Sequence, residues 1–166
     1  MSTDTAQQVV TFRVGDDHFA ADIGAVERIL RYTAPAAVPN LPDWVEGVLD
    51  YQGRVVPVID LRRRFGLRAE PASPGGEAPR ADGRIVIFAT GDDWIGAIVD
   101  AVLEVTRVRA DEASPPPSLF RGLKAEYLRG LVRRDGRLII HLEVGRLLTS
   151  TEQLALERAL EEARDG

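Results

Sequence analysis

At 166 residues, with 45% hydrophobic and 28% charged side chains, the chain is long enough for one compact domain or two small subdomains on a shared core, and too apolar for general disorder. A net charge of −5 sets its average field against phosphate backbones and anionic lipid, and the absence of cysteine removes disulfides, thiolate metal sites and cysteine nucleophiles. Met1 to Gln8 carry an acid where a signal peptide needs a basic region and an apolar run, and no apolar stretch is long enough to span a bilayer, so a cytoplasmic chain is expected.

In chain order, Val10-Thr11-Phe12-Arg13-Val14 alternates apolar with polar and predicts a strand with one face on a core and the other in water. Gly15-Asp16-Asp17 predicts a tight turn into a second strand. Tyr51-Gln52-Gly53 gives a further turn signal ahead of Arg54-Val55-Val56-Pro57-Val58-Ile59. Asp60-Leu61-Arg62-Arg63-Arg64-Phe65 reads as a short helix stopped at Gly66, its three arginines forming a solvated face. Residues 68–83, rich in Pro, Gly, Ala and Ser, predict an exposed linker. Ile85-Val86-Ile87-Phe88 is apolar throughout and predicts a strand covered on both faces, followed by the turn Gly91-Asp92-Asp93. Pro115-Pro116-Pro117 cannot continue a central strand, because proline has no ladder N–H. Arg134-Asp135-Gly136 is another tight-turn signal. A last helix is expected from about Thr151 to Arg164, with Ser150 and Gln153 as a capping box and Leu156, Leu160 and Ala163 on one stripe packed against the second half of the chain.

The chain also repeats itself. Phe12-Arg13-Val14-Gly15-Asp16-Asp17 returns 76 positions later as Phe88-Ala89-Thr90-Gly91-Asp92-Asp93, and the same shift relates Ile23 to Val99 and Val26 to Val102. Asp43-Trp44-Val45-Glu46-Gly47-Val48 returns 83 positions later as Glu126-Tyr127-Leu128-Arg129-Gly130-Leu131, and Gly53-Arg54 as Gly136-Arg137. The seven extra positions imply an insertion between Asp111 and Lys124. Residues 8–67 thus form one repeat and 84–149 the other, with 150–166 as a terminal helix, and many short strands in duplicate predict two small barrels side by side.

Catalytic and metal chemistry finds little support in these residues. His18 and His141 belong to no metal-ligand or nucleophile motif, His18 following a turn and His141 falling on a half-buried strand position. Asp16-Asp17 and Asp92-Asp93 lack the spaced oxygen ligands of a calcium loop and are explained by hairpin turns. Asp60 and Glu143 are repeat equivalents, which favours a structural pair over a catalytic one. Arg62-Arg63-Arg64 could suit an OB-like single-strand-binding module, the remote alternative. Aromatics at 6% are too few for a stacking platform, however, and Trp44 and Tyr127 are equivalent packing anchors.

With repeat and hairpins assigned, Pro39-Asn40-Leu41-Pro42-Asp43-Trp44-Val45-Glu46-Gly47-Val48 followed by Gly53-Arg54-Val55-Val56-Pro57-Val58-Ile59-Asp60-Leu61-Arg62 resembles the signature of CheW domains. The likeness continues through Gly91-Asp92-Asp93, Val102-Leu103-Glu104-Val105 and Glu126-Tyr127-Leu128-Arg129-Gly130-Leu131, so it covers nearly the whole chain. It implies an all-β CheW-like fold, two intertwined five-stranded SH3/OB-like barrels with short helices and a C-terminal helix in a single domain over 1–166. It also implies no enzymatic activity and no cofactor. The partners it implies are a CheA-type histidine kinase, through its CheW-like regulatory domain, and the cytoplasmic tip of a chemoreceptor at arrays under the membrane. Neither nucleic acid nor membrane insertion is implied. Carried onto this chain, the partner-binding residues are Val26, Arg28, Ile29, Val45, Gly47, Val48, Gln52, Gly53 and Arg54.

Two of these depart from the family pattern. Arg28 stands where an acid is usual, and its repeat equivalent is Glu104. Gln52 stands where the family turn carries arginine. Glutamine cannot form two charge-assisted bonds to a carboxylate, and position 28 has reversed sign, so the departures predict a divergent partner with an acidic group facing Arg28. The alternative is a module that binds only one of the two partners.

Overall fold

The computed structural model describes residues 7–65, 83–91, 93–114, 119–120, 123–124, 127–148 and 150–165. The strands are β1 (Gln7–Val14), β2 (Asp17–Asp22), β3 (Val26–Arg31), β4 (Val45–Tyr51), β5 (Arg54–Asp60), β6 (Arg84–Thr90), β7 (Asp93–Val99), β8 (Ala101–Val108), β9 (Ala113–Ser114), β10 (Leu119–Phe120), β11 (Leu123–Lys124), β12 (Leu128–Arg134) and β13 (Arg137–Leu142). Helix α1 covers Leu61–Phe65 and α2 covers Ser150–Asp165. The all-β double-barrel expectation holds, with one added strand: a six-stranded sheet ordered β8-β1-β2-β13-β12-β9 and a five-stranded sheet ordered β3-β6-β7-β5-β4. The sixth strand, β9, comes from the inserted segment and pairs Ala113 and Ser114 with Val132 and Leu131. Its counterpart in the five-stranded barrel is a single bridge, Ala36 to Val48.

The sheets do not coincide with the sequence halves. The hairpin β1–β2 of the first half joins β8, β12 and β13 of the second, while β6–β7 of the second half joins β3, β4 and β5 of the first. Each exchanged hairpin enters its host sheet through one parallel pairing, β2 on β13 and β7 on β5. These two pairings are related by the repeat, and so are the irregularities. Extra residues interrupt the ladders at Glu27 and Leu103, 76 positions apart, and at Glu46 and Arg129, 83 apart. Each is a β-bulge that bends its strand and tightens the local twist, as a small barrel requires.

Three apolar clusters follow from this topology. Val9, Ala20, Val108, Val132 and Ile139 fill the six-stranded barrel. Tyr51, Val56, Val58, Ile85, Ile87 and Ile98 fill the five-stranded one. The largest cluster lies between them and draws Phe12, Phe19, Ile59, Leu61, Phe88, Leu142 and Leu147 from both halves. Ile85 to Phe88 are fully buried, as an uninterrupted apolar run predicts. For β1 the one-sided expectation fails, because Val9 through Phe12 are all buried, Thr11 included. With β2 and β8 as neighbours, β1 faces the barrel interior on one side and the central cluster on the other. Thr11 meets this burial by donating through Oγ1 to the Glu104 carbonyl and accepting from its N–H, both at 3.2 Å.

The hairpin turns adopt the expected geometry. Gln52 and Gly53 have φ of 49° and 76°, and Asp135 and Gly136 have 53° and 73°, the paired left-handed conformation of a two-residue turn. Asp60 ends β5 rather than opening α1, and Gly66 lies outside the described residues together with 68–82 of the expected linker. Helix α2 lies against β5 and β7 of the five-stranded barrel, not against a barrel made from the second half alone: Leu156 enters the central cluster. The side chain of Ser150, the other member of the expected capping box, lies outside the described residues; Gln153 Nε2 donates to Asp93 Oδ2 at 2.7 Å and ties α2 to β7.

The solvated arginine face expected on α1 is corrected at Arg64. Its side chain is 8% exposed, donates to the Leu147 carbonyl at 2.8 Å and pairs with Glu152 at 2.6 Å. The guanidinium lies 4.5 Å from the Trp44 ring centroid and 5.1 Å from that of Tyr127, so the two equivalent aromatic anchors clasp one cation. Arg63 does face solvent.

Candidate partner-binding surfaces

Val26, Arg28 and Ile29 lie on β3, one edge of the five-stranded sheet, and Val45, Gly47 and Val48 on β4, the other edge. Arg28 and Ile29 point outward, Ile29 being one of the few large apolar side chains left exposed. Gln52 and Gly53 form the exposed turn joining β4 to Arg54 at the start of β5. Two of the nine residues belong to the interior instead. Val45 is buried in the central cluster because it is the first residue of β4, opposite Ile59. Gly47 is buried where a Cβ would stand 2.3 Å from the Ala36 carbonyl oxygen, so glycine there admits a crossing backbone. Val26 is half-buried and packs on the central cluster, which leaves Arg28, Ile29, Val48, Gln52, Gly53 and Arg54 for contact.

Near the Gln52–Gly53 turn the side chains form a fixed cluster. Gln52 Nε2 donates to Tyr51 Oη at 3.2 Å, the Tyr51 and Trp94 rings are tilted at 5.2 Å, and the Arg54 guanidinium sits 4.1 Å above the Trp94 ring. Stacking on the Trp94 ring helps to hold the Arg54 guanidinium beside the turn. Beside it, β5, β7 and α2 enclose a cleft of ≈80 Å³ lined by Arg54, Val55, Pro57, Trp94, Leu156 and Leu160. It opens toward Gly53, Glu157 and Glu161, so an apolar floor carries one cation and two carboxylates on its rim. Such a cleft suits an amphipathic segment.

A second surface escaped the sequence reading. Leu103 and Val105 are 45% and 50% exposed on β8, the edge of the six-stranded sheet, flanking Glu104. The repeat held the signal, since Val105 is the equivalent of Ile29 and Glu104 of Arg28. The two edges therefore match in position and oppose in charge. Strand edges with unpaired N–H and C=O groups and projecting apolar side chains are ready-made contact sites.

No group of three or more metal-ligating side chains exists among the described residues. His141 is buried, with Nε2 2.9 Å from Asp22 Oδ1, and Arg129 pairs with the other oxygen of the same carboxylate, a closed structural link between β13, β2 and β12. No helix among the described residues is long and apolar enough to cross a membrane.

Two interlocked small barrels with exposed edges, and a cleft between the five-stranded barrel and α2, define a binding module. The model of the CheW-like domain matches residues 8–152, and the chain belongs to that family. Among its relatives are the chemotaxis protein CheW of Treponema pallidum (strain Nichols), 32% identical over 145 residues covering 87% of this chain and 84% of that protein, and Protein FrzA of Myxococcus xanthus, 32% identical over 157 residues covering 92% and 91%. The crystal structure of the scaffolding protein TtCheW from Thermoanaerobacter tengcongensis superposes with a TM-score of 0.76 at 27% identity, covering 88% of this chain and 90% of that one.

Proposed function

We propose that this chain is a non-catalytic chemotaxis scaffold that couples a CheA-type histidine kinase to chemoreceptors at arrays on the inner face of the membrane. The observation that carries the reading is that separate exposed features stand on one rigid body: the β8 edge with Leu103 and Val105, and the β3 edge and Arg54 cleft with Arg28, Ile29, Val48 and Gln52. The central cluster joins the barrels through side chains from both halves, so the surfaces keep a fixed mutual orientation. A rigid body with two occupied faces raises the effective concentration of one partner at the other, which is what coupling requires. Similarity to the chemotaxis protein CheW of Treponema pallidum over 84% of its length supports the role.

The exposed departures Arg28 and Gln52 favour a second reading, a diverged module that binds only one partner and tunes array composition. Copurification with the tagged chain from its own cells separates the two. Recovery of both a CheA-type kinase and a chemoreceptor supports coupling, recovery of one supports the diverged module, and recovery of neither refutes both.

A further inference from the structure

The hairpin ends of the two barrels are related by the repeat but differ in chemistry. In the five-stranded barrel Arg54 stacks on Trp94, whose cross-strand neighbour is Ala89, and α2 lies alongside. The equivalent positions in the six-stranded barrel hold Arg137, His18 and Arg13. Arg137 Nη1 stands 3.3 Å from His18 Nε2, and Arg13 is paired with His18 across the β1–β2 ladder. An aromatic platform that satisfies one cation has been replaced by an imidazole between two guanidiniums.

Strand alternation fixes where these groups point. His18 shares its face with Ala20 of the six-stranded barrel's own cluster, while Asp17 shares the opposite face with Phe19. Arg13 is braced by a 2.8 Å bond from Nη1 to the Gly15 carbonyl, and Gly15 N–H donates to Asp100 Oδ2 at 2.5 Å, which stiffens the turn. Among the described residues neither Arg13 nor Arg137 forms an ion pair, whereas Arg64, Arg109, Arg129 and Arg134 all do. The groups facing His18 are Arg137 from β13 and Arg13 from β1; Asp17, next in sequence on the other face, and the Asp16 backbone act on it from its own hairpin. Burial, then the two arginines, hold the imidazole below its ordinary range against the pull of Asp17.

We propose that Arg13, His18 and Arg137 form a docking point for the carboxylates of an acidic segment of a partner protein. At the imidazole Arg137 and Arg13 each outweigh Asp17, in a chain of net charge −5 whose same turns also carry Asp16, Asp100 and Asp135, so an acidic group is drawn to the two guanidiniums rather than to the surrounding surface. The three side chains stand on the adjacent strands β1, β2 and β13, a row across neighbouring strands that suits a chain segment. A carboxylate arriving between the guanidiniums favours imidazolium, so docking takes up a proton at His18. The inference rests on the scaffold reading for its kind of partner, but its test requires neither kinase nor receptor.

The probe is a blocked hexaglutamate peptide titrated into the full chain at low salt and near pH 6.5, with the His18 ring resonances as readout. The expected result is saturable binding of one peptide per chain, an upward move of the His18 titration midpoint on binding, and affinity at least tenfold weaker in Arg137→Gln and in about tenfold higher salt. Arg137→Gln removes no backbone hydrogen bond, and an unchanged melting temperature shows that the fold is intact. No shift at His18, a shift unaltered by Arg137→Gln, or tighter saturation by inorganic phosphate than by the peptide overturns the proposal. Failure of the scaffold reading would appear instead as absence of kinase and receptor from the copurified material.

Discussion

The two barrels carry the same framework and different ends. Phe12 and Phe88 are equivalent and both fully buried in the central cluster; Gln52–Gly53 and Asp135–Gly136 turn with the same backbone signs; the bulges at Glu27 and Leu103 recur in register. At the hairpin ends the likeness stops. Trp94 with Arg54 faces a cleft under α2, while His18 with Arg137 and Arg13 forms a cationic surface, and the outer edges carry Arg28 on β3 against Glu104 on β8. Interior positions answer to packing, which is the same problem twice, whereas exposed rim positions are free of that constraint and have diverged. A duplicated scaffold can thereby present distinct surfaces on one rigid core.

The comparison can be broken first at its shared interior. Phe12→Ala and Phe88→Ala should each cost about 3–5 kcal/mol in urea unfolding, and by similar amounts, since both rings are fully buried in one cluster. A large inequality would show that the barrels are not equally committed to the shared core. Next comes the cation between the anchors: Arg64→Ala should cost about 3 kcal/mol, because it removes the buried cation's bonds to Glu152 and the Leu147 carbonyl and vacates the space between Trp44 and Tyr127. Arg63→Ala, with its side chain 59% exposed, should cost under about 0.5 kcal/mol in the same assay.

Glycine substitutions sharpen the likeness further. Gly47→Ala places a Cβ 2.3 Å from the Ala36 carbonyl oxygen, and Gly130→Ala places one 2.9 Å from that of Ser114. Both should destabilise, the first by about 2–3 kcal/mol and the second by about 1 kcal/mol, read as shifts in the denaturant midpoint. The smallest effect separates the two ends by pH. The His18 imidazole is held below its ordinary range by burial and by Arg137 and Arg13, so the folded chain binds this proton more weakly than the unfolded chain. Its contribution to stability is therefore full above the unfolded value near 6.5 and declines as pH falls toward the lowered folded value. His18→Gln should remove that part of the pH dependence between pH 7.5 and 5, while Trp94→Phe at the equivalent position should leave it unchanged.

Much of this was legible in the residues. The duplication, the turns at Gly53 and Gly136 and the double-sided burial of Ile85 to Phe88 follow from pattern and turn chemistry. That the barrels intertwine came from the family resemblance and not from pattern, since alternation states which face of β1 is apolar but not which strands it joins, and for the same reason the burial of Thr11 was missed. Arg64 looked solvated because a run of three arginines on a short helix has no sequence marker for a carboxylate 88 positions away. On the surfaces, the family signature pointed to Arg28, Ile29, Gln52 and Arg54, but it could not tell the buried Val45 from its exposed neighbours. Leu103 and Val105 could have been found by extending the repeat from Ile29 to its equivalent on β8.

Simultaneous occupancy tests the central claim most directly. With the purified chain, a soluble fragment of the kinase carrying its CheW-like domain and a receptor cytoplasmic fragment mixed above their binding constants, sedimentation velocity should resolve a complex containing all three. Leu103→Asp with Val105→Asp and Arg54→Ala should each remove a different component. Mutually exclusive binding, in which one fragment displaces the other from the chain, would contradict a scaffold with separate faces.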